Sequence, residues 1–342
     1  LTAWTPRRAE GIRARARNSV SRQRPWGIVV ALAFAAAALG GCVLREARTL
    51  RVGINAEPGY EFAYLADVQG LFAREHVSVR LVQFESMSDS RRAFERGQLD
   101  GYFGTVFEVL QAKANSTRNP RIVRVLDCSQ GFDVVLARPG IDDITGIRGR
   151  TVAVEPGSLN VYLLARALEM HGMGLDEVRM AGMEPGEMGA ALRQGQVDAA
   201  VGYPPASSAI EDSGWAHPIF TSAEIPGEIV DVLAFDASVL GSRGRDVAAF
   251  LRAYDGAVAW MAGHRDEACR IMAARERITP AEFRASLDDG LELVSASRQA
   301  AYFSESGLLP RIVDATSRVL VRTGQIPTPV PPADVLAAQE AR

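Results

Sequence analysis

The residues of this chain best suited to chemistry are carboxylates: Glu57, Glu61, Asp89, Asp133, Glu155 and Glu184. Each falls on or beside a turn that follows a strand-like run. Carboxylates in such turns suit an ammonium group or the amino group of a heterocycle. A nitrate or sulfonate site calls instead for arginine or lysine, and these turns hold few basic residues. The bland alternative for each carboxylate is a solvated side chain. Acid–base catalysis would need one of them paired with a nucleophile or a metal. There is no Gly-x-Ser-x-Gly elbow, no P-loop and no His-Glu-x-x-His. His76, His171, His217 and His264 are not paired at metal or catalytic spacing. We therefore expect no catalytic residue, no metal and no cofactor.

Neutral residues share the same turns. Asn55 and Tyr60 follow the first strand, Ser88 the second, and Gly104 with Thr105 the third. In the second half Ser158, Asn160 and Tyr203 are placed alike. Ser88 and Ser158 precede helical stretches. A helix start offers unpaired N–H groups and a positive dipole end, so both are anion seats or ordinary N-caps. Tyr60 can stack on a planar ligand or pack as the first residue of its helix.

The elements that position these residues alternate. Leu50–Ile54, Val77–Leu81, Leu99–Phe103, Ile122–Leu126 and Val134–Ala137 read as strands, with helical spacing at 60–75, 88–96 and 106–114. After Arg138-Pro139-Gly140 the pattern restarts, with strands at Thr151–Val154, Val178–Met180, Ala199–Val201 and Pro218–Phe220. Helices are expected at 159–171, 186–194 and 207–212. Such alternation predicts mostly parallel sheets covered by helices. From Gly244 the apolar residues recur at helical spacing, predicting helices at 246–263, 266–274, 280–290 and 297–324 with no strands between. We thus expect an α/β chain of two doubly wound lobes with a ligand cleft between them and a helical finish. Lobe I would comprise 50–138 plus 230–326 and lobe II 139–229. The crossings would lie near Arg138–Gly140 and Val230–Leu233, and 327–342 would be an extended tail. A cleft between such lobes is a natural ligand site.

Upstream, a leader with seven arginines runs into the apolar Ile28–Leu39 and ends in Leu39-Gly40-Gly41-Cys42. A basic n-region, short apolar h-region and small-residue cleavage site form a secretory signal over 1–41. The apolar run is far short of the ~20 residues a spanning helix needs. Leu-Gly-Gly-Cys resembles a lipobox, which implies lipidation of Cys42 and a tether over 42–49. The formal charge is −3 overall and −9 beyond the leader, which argues against a nucleic-acid partner. Cys128 and Cys269 lie in apolar runs and read as buried thiols or one disulfide.

One ordered set of motifs adds a resemblance. It comprises Leu50-Arg51-Val52-Gly53-Ile54-Asn55, Pro58-Gly59-Tyr60-Glu61, Gln69-Gly70-Leu71-Phe72, Gly97-Gln98-Leu99-Asp100-Gly101, Gly149-Arg150-Thr151-Val152-Ala153-Val154, Gly195-Gln196-Val197-Asp198-Ala199 and Glu224-Ile225-Pro226-Gly227-Glu228. From Leu50 to Gly324 the chain resembles the extracytoplasmic solute-binding proteins of ABC transporters, in the group that binds nitrate, taurine, alkanesulfonates and thiamine precursors. The resemblance implies a type II periplasmic-binding-protein fold that closes on a small solute. It also implies a monomer partnered by a permease and an ATPase, held through its lipid in the periplasm or at the outer face of the cytoplasmic membrane. The carboxylates favour an amine-bearing solute, such as an aminopyrimidine or taurine. The alternatives are nitrate held by helix N-termini, a sensory or scaffolding lipoprotein, and an enzyme related to thiamine-pyrimidine synthesis. That last chemistry relies on a cysteine-rich motif that this chain lacks.

Overall fold

The computed structural model describes residues 49–337. The leader, Cys42, most of the tether and residues 338–342 lie outside the described residues. Two mixed sheets organise the chain. The first contains β1 (Leu50–Ile54), β2 (Val79–Gln83), β3 (Gly101–Thr105), β4 (Pro120–Ser129), β10 (Val230–Asp236) and β11 (Leu291–Leu293), in the order β11-β4-β10-β3-β1-β2. The second contains β5 (Val134–Ala137), β6 (Thr151–Val154), β7 (Arg179–Gly182), β8 (Ala199–Gly202) and β9 (His217–Thr221), in the order β7-β6-β8-β5-β9. This is the two-lobed α/β architecture of type II periplasmic binding proteins.

In each lobe three strands run parallel, β1–β3 in the first and β6–β8 in the second, as alternation with helices requires. The strand that brings the chain in from the other lobe runs antiparallel to them. Asp231 at the start of β10 pairs with Thr105 at the end of β3, and Val134 at the start of β5 pairs with Gly202 at the end of β8. Both crossings therefore open at the carboxyl ends of the parallel strands, where the lobes face each other.

This pairing moves the expected lobe boundary. Val134–Ala137 was assigned to lobe I, but it lies between β8 and β9 of the second sheet. The crossings are residues 130–133 and 222–229. Pro139-Gly140 only ends β5, and Val230–Leu233 lies inside a strand paired on both sides. Side-chain hydroxyls lace the two crossings together: Ser129 Oγ lies 2.6 Å from Ser222 Oγ, which accepts from Gly131 N at 2.7 Å.

Helices α1 (Glu61–Val68), α2 (Leu71–Arg74), α3 (Met87–Glu95) and α4 (Val106–Asn115) cover the first sheet, and α5 (Leu159–Met170), α6 (Pro185–Arg193) and α7 (Ala206–Asp212) the second. Three starts are capped by side chains, from Ser86 on α3, Thr105 on α4 and Ser158 on α5. Then follow α8 (Ala237–Gly263), α9 (Arg265–Glu276), α10 (Pro280–Asp289), α11 (Gln299–Phe303) and α12 (Leu308–Arg322). The expected strandless finish is interrupted by β11, whose three residues are too few to register as alternation. The helix expected over 297–324 breaks between α11 and α12. Aromatic contacts tie α8 to the first sheet: Phe103 lies 6.3 Å from both Phe250 and Tyr254, ring to ring. Val134, Leu136, Met188, Leu192 and Ile210 form a separate small cluster in lobe II.

The expected free tail is partly built in. Ile122 N donates to Val335 O, Ala337 N donates to Ile122 O at 3.0 Å, and Val330, Val335 and Ala337 are buried. Cys128 and Cys269 are both buried and free, so they are thiols. Among the described residues no helix is long and apolar enough to cross a membrane.

Candidate functional site

The turn after β1 folds back on itself. Glu57 Oε2 accepts from Tyr60 N at 2.9 Å, supplying the start of α1 that no side-chain cap serves. Its other oxygen, Oε1, is buried without a partner, as is Asn55 Oδ1. Tyr60 is a wall of the site: its ring lies 5.2 Å from Phe103, and its hydroxyl donates to Asp231. It takes the packing role, being fully buried in lobe I.

Two glutamates cross between the lobes. Glu155, directly after β6, accepts from Ser88 N in the first turn of α3 at 2.9 Å. Glu108, in the first turn of α4, accepts from Leu159 N in the first turn of α5 at 2.8 Å. Each lobe thus sends a carboxylate to a helix start of the other. Glu108 does this with Oε1, while its Oε2 closes a capping box by accepting from Thr105 N at 2.9 Å. Glu155 does it with Oε1, and its Oε2 is buried with no partner. Burial pushes both carboxyls above their ordinary range.

Tyr203 lies directly after β8 and is buried. Burial raises its hydroxyl well above the usual range, followed by the fields of Glu155, Glu108, Asp133 and Glu57. Those four carboxyls come from both lobes and from the first crossing. Asp133 is pushed up to about 7 by burial, against a hydrogen bond from Ser129 that lowers it. The Tyr203 ring is stacked with Phe132 at 6.4 Å.

Behind Glu57 lies a carboxyl pair absent from the expected site. Asp127 on β4 and Asp231 on β10 are direct cross-strand partners. Each is pushed well above its ordinary value by burial first, then by neighbouring carboxyls. Neither Asp127 oxygen has a hydrogen-bond partner. Gly59 makes room for this side chain: a Cβ there would stand 2.1 Å from Asp127 Oδ2. The sequence signal was a single carboxylate inside each apolar strand run, in Leu126-Asp127-Cys128 and Val230-Asp231-Val232. Glu108 was concealed because Thr-x-x-Glu reads as a cap. Arg91, buried and paired with Glu95, is a guanidinium close to the Glu-Pro-Gly turn of lobe II; a Cβ on Gly157 would stand 3.1 Å from its Nη2.

Several expected residues serve elsewhere. Glu61 turns away from Tyr203 to Arg275 of α9, and burial pushes it up to about 8 despite that partner. Asp89 pairs with Arg92 at 2.8 Å on the outer face of α3. Glu184 is exposed at the start of α6, after the edge strand β7. Gly104 lies within β3 rather than in a turn. Asn160 ties α5 to β8 through Val201 O. Ser158 is a cap, and Ser88 contributes its backbone N–H while Ser86 holds the cap position. Among the described residues no cluster of histidine, cysteine and carboxylate residues could hold a metal.

One repeat emerges from this placement. Glu-Pro-Gly occurs at 57–59, 155–157 and 184–186, each time after a strand. The copies after β1 and β6 reach the site because those strands lie inside their sheets. The copy after β7 does not, because β7 is an edge strand.

Comparison with known proteins matches residues 45–275 to a family model described as NMT1-like. A binding protein of Brucella abortus (strain 2308) is 29% identical over 179 residues, 51% of this chain. The match spans about half of that relative, 54%. Among solved structures, the alkanesulfonate-binding protein SsuA of Xanthomonas axonopodis pv. citri, bound to MOPS, superposes with a TM-score of 0.72 at 18% identity, covering 85% of this chain and 99% of that one. The periplasmic aliphatic sulphonate-binding protein SsuA of Escherichia coli gives 0.68 at 16% identity, covering 85% and 92%. The desulfurization enzyme DSZB shares the fold at 0.64 and 15% identity, covering 86% and 97%. At these identities the structures speak to the fold.

Proposed function

The chain belongs to the NMT1-like family, and on that premise we propose that it is an extracytoplasmic solute-binding protein that captures a small amine-bearing organic molecule between its lobes. The observation that carries this reading is the set of buried oxygen acceptors without partners: Asn55 Oδ1, Glu57 Oε1 and Glu155 Oε2. They stand on both lobes, on the turns after β1 and β6. Buried polar groups are ordinarily satisfied. Acceptors without donors call for a ligand that brings N–H groups, and carboxylates call for a positive one. Tyr203 and Phe132 add an aromatic surface for a planar ring. An aminopyrimidine-like solute meets all these demands.

The mechanism is lobe closure. A solute touching acceptors on both lobes binds the closed form better than the open one and shifts the population towards it. Micromolar affinity requires about −8 kcal/mol, within reach of a few charge-assisted hydrogen bonds and a stacked ring. The closed protein would then dock on an ABC permease with its ATPase, tethered by lipid on Cys42. The shared fold with DSZB keeps an enzyme in view as the second reading.

Mass spectrometry of small molecules co-purifying with the mature protein, followed by calorimetric titration, tests the reading. An aminopyrimidine should bind and nitrate should not. Tight nitrate binding without amine binding would overturn it.

A further inference from the structure

Helix starts that face a ligand cleft are anion seats, since their first N–H groups lack intrahelical partners and the dipole favours negative charge. Two such starts receive a carboxylate from the other lobe, on helices of nine and twelve residues. Both are already filled. At α3, Asp89 N donates to the Ser86 cap at 3.3 Å and Ser88 N to Glu155 at 2.9 Å. At α5, Asn160 N donates to Ser158 Oγ at 3.3 Å and Leu159 N to Glu108 at 2.8 Å. The crossing carboxylates are fully buried, and each accepts from a first-turn N–H of the other lobe's helix. Glu155 Oε2, also buried and unpartnered, adds a second oxygen that would repel an incoming anion.

We propose that Glu108 and Glu155 are specificity-determining residues: each is a built-in anion seated on the other lobe's helix start, and together they bar anionic solutes from the cleft. The inference rests on the cleft being the solute site and narrows its ligand. At α3 and α5 a sulfonate group, taurine's included, finds these first-turn N–H groups already bonded. An uncharged or cationic amine does not need them. Arg91 adds one donor near this boundary: its Nη1 is paired with Glu95, while its Nε is buried without a partner.

The test is calorimetric titration of methanesulfonate and inorganic sulfate into the wild type and the variants Glu155→Ala, Glu155→Gln and Glu108→Gln. Folding of each is verified by circular dichroism and thermal melting. Glu155→Gln and Glu108→Gln keep an acceptor in place while removing the charge, so they serve if the alanine variant unfolds. The wild type should bind neither anion, folded Glu155→Ala should gain methanesulfonate affinity of at least about tenfold, the worth of one freed charge-assisted hydrogen bond, and the glutamine variants should gain less, from the lost charge alone. Wild-type binding as tight as that of the variants, or folded variants that gain nothing, would overturn the proposal. An aminopyrimidine titrated into the same proteins separates the two claims. If it fails on the wild type while the variants gain methanesulfonate, the solute assignment falls and the anion block stands.

Discussion

The turns after β1 and β6 carry the same tripeptide, and their glutamates do different work. In lobe I Glu57 bends back to serve its own helix, accepting from Tyr60 N. In lobe II Glu155 leaves its helix to the Ser158 cap and reaches across to Ser88. The difference lies in the residue after the tripeptide: Ser158 caps its own helix and leaves Glu155 free to cross, whereas Tyr60 has no capping side chain and Glu57 serves the start of α1. Thus an identical motif builds a rigid wall in one lobe and a clasp in the other.

Four measurements would break or sharpen this comparison. The largest effect should be on pH dependence. Asp133, at the crossing between the lobes, sits at about 7 against an ordinary 3.8 because it is buried. The folded protein keeps a proton that the unfolded chain releases, so ligand-free stability falls as pH rises from about 4 to about 7, by on the order of a few kcal/mol. Glu61, held at about 8, extends the decline. Thermal unfolding across pH should show it, and Asp133→Asn should flatten the lower part. An amine ligand favours the ionised carboxyls, so its binding should release protons; calorimetry in buffers of different ionisation enthalpy reads this directly.

Next comes solute affinity. Glu155→Ala should weaken amine binding about 10- to 100-fold, the worth of a hydrogen bond to a charged group, and lower the melting temperature, because Ser88 N loses its acceptor. Glu57→Ala should lower the melting temperature less, because Tyr60 N keeps the backbone carbonyl of Glu57 as an acceptor. Equal thermal losses from the two would erase the distinction between wall and clasp.

The paired glycines give a smaller contrast. Gly59→Ala drives a Cβ into the Asp127 carboxyl and should cost about 1–3 kcal/mol in denaturant unfolding. It should also weaken solute binding by displacing Asp127. Gly157→Ala meets only the end of Arg91 but must hold φ +69°, so its cost of about 1–2 kcal/mol is backbone strain. The smallest effect is Ser158→Ala, about 1 kcal/mol for a lost cap. Thr105→Ala should cost more, since Glu108 depends on it for its bearing.

The alternation of elements and the position of the turns were legible in the sequence because apolar periodicity and Pro-Gly punctuation are local signals. Asn55, Glu57, Glu155 and Tyr203 follow from that alone. Asp127 and Asp231 were not legible, since their meeting depends on β10 returning between β3 and β4 from over 100 residues away. The misplaced boundary at Pro139 has the same origin. A breaker marks the end of a strand, while its sheet is chosen by distant partners. Asp89 and Glu184 show the converse: sitting after a strand does not bring a side chain inward when the helix face or the edge strand points it out.

The pairing of Val335 and Ala337 with Ile122 has a practical consequence. Strand β11 covers only Asp127–Ser129 of β4, and the closing residues seal the ladder at its other end. Clipping the chain ahead of Val335 would uncover backbone amides at that margin and invite self-association through it. Affinity tags and fluorophores therefore belong beyond Ala337, and shortened versions meant for crystallisation should keep that segment whole.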